Sequence, residues 1–259
     1  MCSSISDGPG FTMSVLRYGN SHNDENIRVI AMAEDPNLKG LYPFLHGKKQ
    51  DPVAMNSALI ESVRQKAANH HDVIDAFFAK NGQAVVDAAG ALADVYRRNG
   101  RLYTMGNGGS RCDAAHVAVE FLHPVTAGRP ALTAVDLSAD STMLTAVAND
   151  VGYQHVFVRQ VIAQARRGDG LIGLSTSGNS NNLVQAFIKA KEMGVVTIGM
   201  AGMSGGEMAK MGLDHCLVVE TDSIHRVQEV HVTIYHILWD LVHTLLADDR
   251  GSLSAPDFR

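Results

Sequence analysis

The chain has 259 residues, of which 46% are hydrophobic, and a net charge of −5. It is long enough to bury the core of one large domain. Its net negative charge gives no basic footprint, so nucleic acid is not a favoured direct partner, and no apolar run approaches the roughly 20 residues that cross a membrane. The three cysteines form no CxxC pair, and the polar N-terminus is unlike a signal peptide, so we expect a cytoplasmic protein.

The first part of the chain divides into an irregular segment and a helical one. Residues 1–50 have weak periodicity and several glycines and prolines, which predicts an irregular N-terminal extension. From about residue 56 to residue 99 apolar residues recur at helical spacing, and an alanine-rich part, residues 85–96, ends just before Asn99 and Gly100. We therefore predict two helices before the first strand, packed as an N-terminal helical hairpin.

Beyond residue 100 short apolar segments alternate with amphipathic ones. Strands are predicted at residues 102–105, 131–136, 170–175, 195–200 and 215–219. Helices are predicted at residues 114–122, 141–147, 156–165, 182–193, 205–211 and 226–246. The alternation predicts an α/β domain over residues 51–250, with a doubly wound parallel sheet of about five strands flanked by helices. Residues 251–259 are expected to form a C-terminal tail.

Two loops of small residues each follow a predicted strand. The first loop, residues 106–110, has the sequence Gly-Asn-Gly-Gly-Ser, and the second loop, residues 175–180, has the sequence Ser-Thr-Ser-Gly-Asn-Ser. Backbone N–H groups and small hydroxyls at a helix N-terminus can surround a phosphate without a lysine. Ligands of doubly wound sheets bind beyond the carboxyl ends of the strands, where both loops lie. The sequence therefore predicts a site for a sugar phosphate.

A few ionisable side chains are placed to do chemistry beside these loops. His116 and Glu120 are four residues apart and share one face of the helix after the first loop. On the last helix Gln228 and His236 are eight residues apart and lie on roughly one side. Spacing alone leaves open a surface His–Glu pair and a histidine packed in the core. Asp140 either caps the helix that follows it or accepts hydrogen bonds from sugar hydroxyls.

Three motifs taken together resemble a known family. Residues 106–116 with Glu120, residues 175–180, and residues 226–231 with His236 are similar to the SIS (sugar isomerase) domain of the sedoheptulose 7-phosphate isomerases, in the same order and spacing. The resemblance covers residues 56–246. It implies a substrate pocket formed by residues of both loops and their neighbours, with the phosphate bound by hydroxyls of the second loop. The implied pocket residues are Asn107, Gly108, Gly109, Ser110, Asp140 and Gln228, and the implied phosphate ligands are Ser175, Thr176, Ser177 and Ser180.

The resemblance also implies catalytic groups, a metal and an assembly. Glu120 and His236 would be the acid–base pair, and zinc would be bound by His116, Glu120, Gln228 and His236. The family forms homotetramers with active sites between subunits, so His236 could serve a neighbouring subunit.

The chemistry expected from the pair is an aldose–ketose isomerisation through an enediol. Glu120 would take the proton bound to carbon, and His236 would serve the oxygens. An isomerase of another sugar phosphate, and a non-catalytic SIS protein that binds a sugar phosphate or a protein partner, remain as alternatives. The presence of both Glu120 and His236 favours the enzyme.

Overall fold

The structure is a computed structural model, and it describes residues 52–247. The predicted extension over residues 1–50 and the predicted tail over residues 251–259 lie outside the described residues. Internal contacts divide the chain into two units, Met1–Ser62 and Val63–Arg259. In the first unit the described residues, 52–62, are helical. The sheet and all the site residues belong to the second unit.

The region before the first strand is one continuous helix, α1, which covers Pro52–Arg97. It is helical as predicted, but the two expected segments are joined, so the described residues contain no hairpin here. No proline follows Pro52 in this stretch, and its only glycines are Gly82 and Gly90. A glycine inside a helix costs only about 1 kcal/mol, which alanine-rich neighbours and packing offset. The helix ends at Arg97, two residues before the predicted cap at Asn99 and Gly100, and Asn99 has a left-handed φ of 58°.

The domain is built on five parallel strands in the order β2-β1-β3-β4-β5. The strands are β1 Leu102–Gly106, β2 Ala134–Asp136, β3 Gly170–Ser175, β4 Val196–Gly202 and β5 His215–Val219. The helices after α1 are α2 Gly109–Leu122, α3 Ser141–Asp150, α4 Val156–Gln164, α5 Asn181–Met193, α6 Gly206–Lys210 and α7 Ile224–Leu245, and a 3₁₀ turn covers Tyr153–His155. The predicted doubly wound α/β fold is confirmed.

Strand β2 is shorter than predicted, because it begins at Ala134 rather than at residue 131. It is an edge strand that pairs with β1 alone. The residue before it, Thr133, still accepts a hydrogen bond from the Leu102 N–H at 3.0 Å, but Ala131 and Thr133 are exposed. With one neighbouring strand, and with Ala131 and Thr133 exposed, the run at 131–136 extends the sheet by only three residues.

The two faces of the sheet are covered by different helices. Helices α1, α2 and α7 pack on one face, with Phe121 and Leu238 in their core. Helices α4 and α5 pack on the other face, with Phe157 and Phe187 in theirs. Because side chains of a strand alternate between faces, Leu102 and Tyr103 enter different cores. It follows that α2 and α7, which contain the predicted acid–base pair, are neighbours on the same face.

The strand order places both loops at the same edge of the sheet. Strand β1 lies between β2 and β3, and Gly106 at its end pairs with Leu174 near the end of β3. The strand that follows β1 in the sequence, β2, lies on one side of β1, and the next strand, β3, lies on its other side. Doubly wound proteins bind their ligands at the point where the strand order reverses in this way.

Among the described helices, none combines the length and the apolarity needed to cross a membrane.

Candidate active site

The first loop turns sharply because glycines allow it. A Cβ on Gly106 would collide with the backbone of Ser110, so the chain can fold back on itself only with glycine at this position. Gly108 has a left-handed φ of 55°, and an added Cβ would meet open space there. Ser110 is buried in the first turn of α2. The loop therefore brings backbone groups, rather than bulky side chains, to the carboxyl edge of β1.

The second loop is held by its own hydroxyl groups. The Ser175 Oγ lies 3.0 Å from the Ser180 Oγ and accepts a hydrogen bond of 3.1 Å from the Gly178 N–H. The Ser177 Oγ accepts the Asn179 N–H at 3.2 Å. Ser180 is the N-cap of α5 but makes no capping hydrogen bond with its side chain. The positive end of that helix is thus directed at a loop of small polar groups, which suits an anion.

Gly178 fixes the second loop against the segment after β4. Its φ is 67°, and a Cβ there would collide with the carbonyl group of Gly205. The Asn179 Oδ1 accepts the N–H of Glu207 at 2.9 Å, on the other side of the same contact. Half-buried Thr176 and Ser177 stay accessible at the turn. All four predicted phosphate ligands are therefore close together in one short, braced loop.

A pair of amides connects the first loop to the first turn of α5, just after the second loop. Asn107 and Asn182 donate to each other's Oδ1 at 2.9 Å in both directions, and the Tyr153 hydroxyl donates to the Asn107 Oδ1 at 2.8 Å. A cavity of about 310 Å³ opens beside them, also lined by Ser180 and Gln154. Its lining is neutral and rich in hydrogen-bonding groups, which suits the hydroxyls of a sugar next to the phosphate loop.

The predicted acid–base pair comes together within one chain. Donor atoms of His116, Glu120 and His236 all lie within 4.8 Å of one another. The His116 Nε2 is 3.1 Å from the Glu120 Oε1, and the rings of His116 and His236 are 5.0 Å apart at 80°. The Glu120 side chain is 18% exposed, so it is partly shielded from water but still reachable. The two residues converge although they are 116 positions apart in the sequence.

Two aromatic residues on α7, on either side of His236, hold this arrangement. The Tyr235 hydroxyl is 2.7 Å from the His116 Nδ1. The Trp239 indole N–H donates to the backbone carbonyl of Glu120 at 2.7 Å. These bonds fix the register of α7 against α2. The sequence analysis missed both residues, because their apolar spacing on a core helix is also that of ordinary packing.

The environment of His116 contains a further acid. Burial raises the pKa of the Asp113 carboxyl to about 6, although nearby His116 lowers it, and the Asp113 Oδ2 is buried with no hydrogen-bond partner among residues 52–247. Burial, followed by the charges of Asp113 and Glu120, raises the pKa of Tyr235. With a proton on Nε2 directed at Glu120, the Tyr235 hydroxyl donates to the Nδ1 of His116; with a metal on Nε2, the hydroxyl would accept the Nδ1 proton instead.

The remaining predicted residues have different positions. The Gln228 amide packs over the first loop, where a Cβ on Gly109 would collide with its Nε2. Asp140 is exposed and caps α3, since its Oδ1 accepts the Met143 N–H at 3.0 Å. The capping role of Asp140 is thus observed, and its contact with a sugar stays a prediction. Tyr153 and Asn182 were missed; only the position of Asn182 just after the second loop could have indicated it.

The His116, Glu120 and His236 group is suited to a metal ion. It offers two imidazole nitrogens and one carboxylate oxygen within 4.8 Å. Zinc binds such ligands at about 2.0–2.2 Å. Two ligand atoms of one zinc ion therefore lie at most about twice that distance apart, which is compatible with the separation observed here. Their chemistry fits a borderline divalent metal rather than calcium or magnesium, which prefer oxygen ligands.

Fold and site together define an α/β domain with two loops of small polar residues that suit an anion, and with a carboxylate and an imidazole brought together on two neighbouring helices. Residues 67–202 match the SIS domain family. A phosphoheptose isomerase of Desulfovibrio desulfuricans is 38% identical over 201 residues, which are 77% of this chain and 95% of the relative. The solved phosphoheptose isomerase of Neisseria gonorrhoeae is 34% identical with a TM-score of 0.68, covering 72% of this chain and 99% of that one. The chain therefore belongs to the phosphoheptose isomerase family of SIS-domain proteins.

Proposed function

We propose that this chain is a sugar-phosphate isomerase that converts sedoheptulose 7-phosphate to D-glycero-D-manno-heptose 7-phosphate. The observation that carries the proposal is the convergence of Glu120 and His236 on two helices whose N-terminal ends adjoin the two loops of small residues. The names of its relatives support a heptose phosphate as the substrate class, since the phosphoheptose isomerases of Desulfovibrio desulfuricans and Sulfurimonas denitrificans are 38% and 44% identical. A protein that only bound a sugar phosphate would have no use for an acid–base pair at this place.

The phosphate is bound by the second loop and the N-terminus of α5. Hydroxyls of Ser175, Thr176, Ser177 and Ser180 supply neutral donors, and the helix dipole favours the negative charge. The hydroxyls of the sugar then face the neutral cavity beside Asn107. Gly108 and Gly109 let the substrate approach the backbone closely. In this arrangement the reacting end of the sugar would face α2 and α7.

The reaction moves one proton between two adjacent carbons. Glu120 removes a proton from C1 of the ketose, the electron pair forms the C1–C2 double bond, and His236 gives a proton to the C2 oxygen. The resulting enediol gives the proton of its C1 hydroxyl to His236, which restores that acid, and Glu120 returns its proton to C2, which leaves an aldehyde at C1. Each positioned acid or base contributes roughly 10²–10⁴-fold to the rate.

Zinc is the metal we propose for the His116, Glu120 and His236 group, with the Gln228 amide as a fourth ligand. When bound, it would polarise the sugar carbonyl as a Lewis acid. The bond between Tyr235 and His116 would orient that ligand by fixing its tautomer.

We also propose a cytoplasmic homotetramer with active sites near subunit boundaries. Several apolar side chains are exposed in the single chain, including Val63, Val86, Val119 and Leu122, and contact between copies would cover them. The pair of Glu120 and His236 is already complete within one chain, so a neighbouring subunit would add to the pocket rather than supply that pair. Light scattering coupled to gel filtration measures the assembly.

Turnover of sedoheptulose 7-phosphate, followed by NMR for an aldose product of equal mass, tests the function. We expect Glu120→Gln to lower kcat by roughly 10²–10⁴-fold while the protein still binds phosphate. Glu192→Gln is the matched control, since Glu192 is an exposed residue of α5 paired with Lys189. Retained turnover in Glu120→Gln would refute the role of Glu120. If the wild type turned over only another ketose phosphate, the proposed substrate would be wrong. If it turned over no ketose phosphate, the chain would be a sugar-phosphate-binding protein and not an isomerase.

A further inference from the structure

A second cavity lies at the opposite edge of the sheet from the active site. Loops that precede β1, β3 and β4 enclose about 650 Å³, which is within the range of small-molecule sites, about 300–1,000 Å³. The proposed isomerisation makes no use of it. We name it the arginine cavity after the four arginines in its lining: Arg98, Arg101, Arg166 and Arg167.

The arginine cavity concentrates positive charge in a chain whose net charge is −5. Its lining contains one acid, Asp169, which is buried. The Oδ1 of Asp169 accepts the Arg101 backbone N–H at 2.8 Å, and its Oδ2 accepts the Arg166 backbone N–H at 2.8 Å. The carboxylate therefore ties two loops together through their backbones. Within residues 52–247, Arg98 and Arg167 form no ion pair with a carboxylate.

One guanidinium group is held by hydrogen bonds before any ligand arrives, and a second packs against the backbone. Arg166 donates from its Nη1 to the carbonyls of Ala163 and Ala165, at 3.3 and 2.8 Å. The Arg167 guanidinium lies over Gly194, so that a Cβ there would be 3.1 Å from its Cζ. Gly194 has a φ of 73° as the C-cap of α5, and the missing side chain leaves room for the arginine. Held side chains lose less entropy when an anion binds.

We propose that the arginine cavity binds an organic phosphate with two or more phosphate groups. The planar guanidinium fork matches phosphate oxygens in a bidentate manner. Guanidinium groups from two loops around a space of about 650 Å³ fit a ligand larger and more highly charged than a single phosphate. The amides of Asn99 and Gln164, which also line the cavity, provide hydrogen bonds for the organic part. This ligand is distinct from the substrate, whose single phosphate binds at the other edge of the sheet.

Calorimetric titration with inorganic pyrophosphate tests the proposal on the full chain, with the active site saturated by sedoheptulose 7-phosphate. We expect saturable binding of one pyrophosphate per chain, weaker binding of orthophosphate, and a loss of about 10-fold or more in affinity in the Arg98→Gln/Arg167→Gln variant. Arg159→Gln is the matched control, because Arg159 is an exposed arginine on α4 outside the cavity, and its affinity should equal that of the wild type.

Three results would overturn the proposal. The first is the absence of saturable pyrophosphate binding, and the second is an equal affinity for pyrophosphate in the double variant and the wild type. The third is an equal loss of affinity in Arg159→Gln, which would indicate diffuse attraction by surface charge. Because the variants are compared at the same sugar-phosphate concentration, the contrast between them is informative even if the proposed isomerase activity is absent.

Discussion

His231 should make the stability of this protein depend on pH. The imidazole is fully buried in α7, its Nε2 lies 3.2 Å from the Ala201 carbonyl, and its Nδ1 has no partner among residues 52–247. Burial lowers the pKa of His231 to about 4, although the hydrogen bond to Ala201 opposes this. The folded chain therefore keeps the ring neutral over a range in which the unfolded chain protonates it.

The sign and size of the effect follow from the two pKa values. The unfolded chain takes up a proton near pH 6.5, and the folded chain does so only near pH 4. Stability is therefore fully present above about pH 6.5, falls as the pH drops toward 4, and changes little below that. At about 1.36 kcal/mol per pKa unit the whole effect is about 3 kcal/mol, of which about 2 kcal/mol is lost between about pH 7.5 and about pH 5.

Urea unfolding at about pH 7.5 and about pH 5 measures this loss. His231→Gln keeps an N–H that can reach the Ala201 carbonyl, but it cannot take up a proton. On going from about pH 7.5 to about pH 5, the free energy of unfolding of the wild type should therefore fall by about 2 kcal/mol more than that of His231→Gln. His225→Gln is the control, since His225 is exposed in the first turn of the same helix, and it should follow the wild type. Equal pH dependence in the wild type and His231→Gln would refute the reasoning.

Three further substitutions test the site and α1. Tyr235→Phe removes the hydroxyl bound to His116 and should lower zinc affinity and kcat by about 10–100-fold; unchanged zinc affinity in a metal titration would contradict this role. Gly109→Ala places a methyl group against the Gln228 amide and should lower turnover while the melting temperature stays close to that of the wild type; normal kinetics would show that the amide position is unimportant. Gly82→Ala, where an added Cβ meets open space inside α1, should raise the free energy of unfolding by about 0.5–1 kcal/mol, and a lower melting temperature would count against one continuous helix.

Much of the fold could be predicted because its signals are local. Buried parallel strands are short apolar runs, and small-residue loops interrupt them visibly. The shared face of His116 and Glu120 follows from helical spacing alone. Their meeting with His236 does not, because it depends on α2 and α7 packing on the same face of the sheet, and only the resemblance to a family indicated it.

Other features depend on tertiary structure and had no local signal. Tyr153 reaches Asn107 from a 3₁₀ turn, and nothing in its own segment indicates this contact. The continuity of α1 is a similar case, since Gly82 is compatible with both a break and a helix. Trp239 is one more example: its indole N–H bonds the Glu120 carbonyl, and this contact between helices cannot be derived from the apolar pattern of α7.

Helix α7 links the proposed anion site to the proposed acid–base pair. Near its first turn, a Cβ on Gly202 would collide with both Val227 and the Thr176 carbonyl, so this end of α7 packs next to the second loop. Its middle presents His236 to Glu120. Because one rigid helix contacts both places, a core substitution that shifts α7 should raise KM and lower kcat together. A substitution confined to the N-terminus of α5, such as one at Asn181, changes only the surroundings of the proposed anion site. It should therefore change KM and leave kcat unchanged.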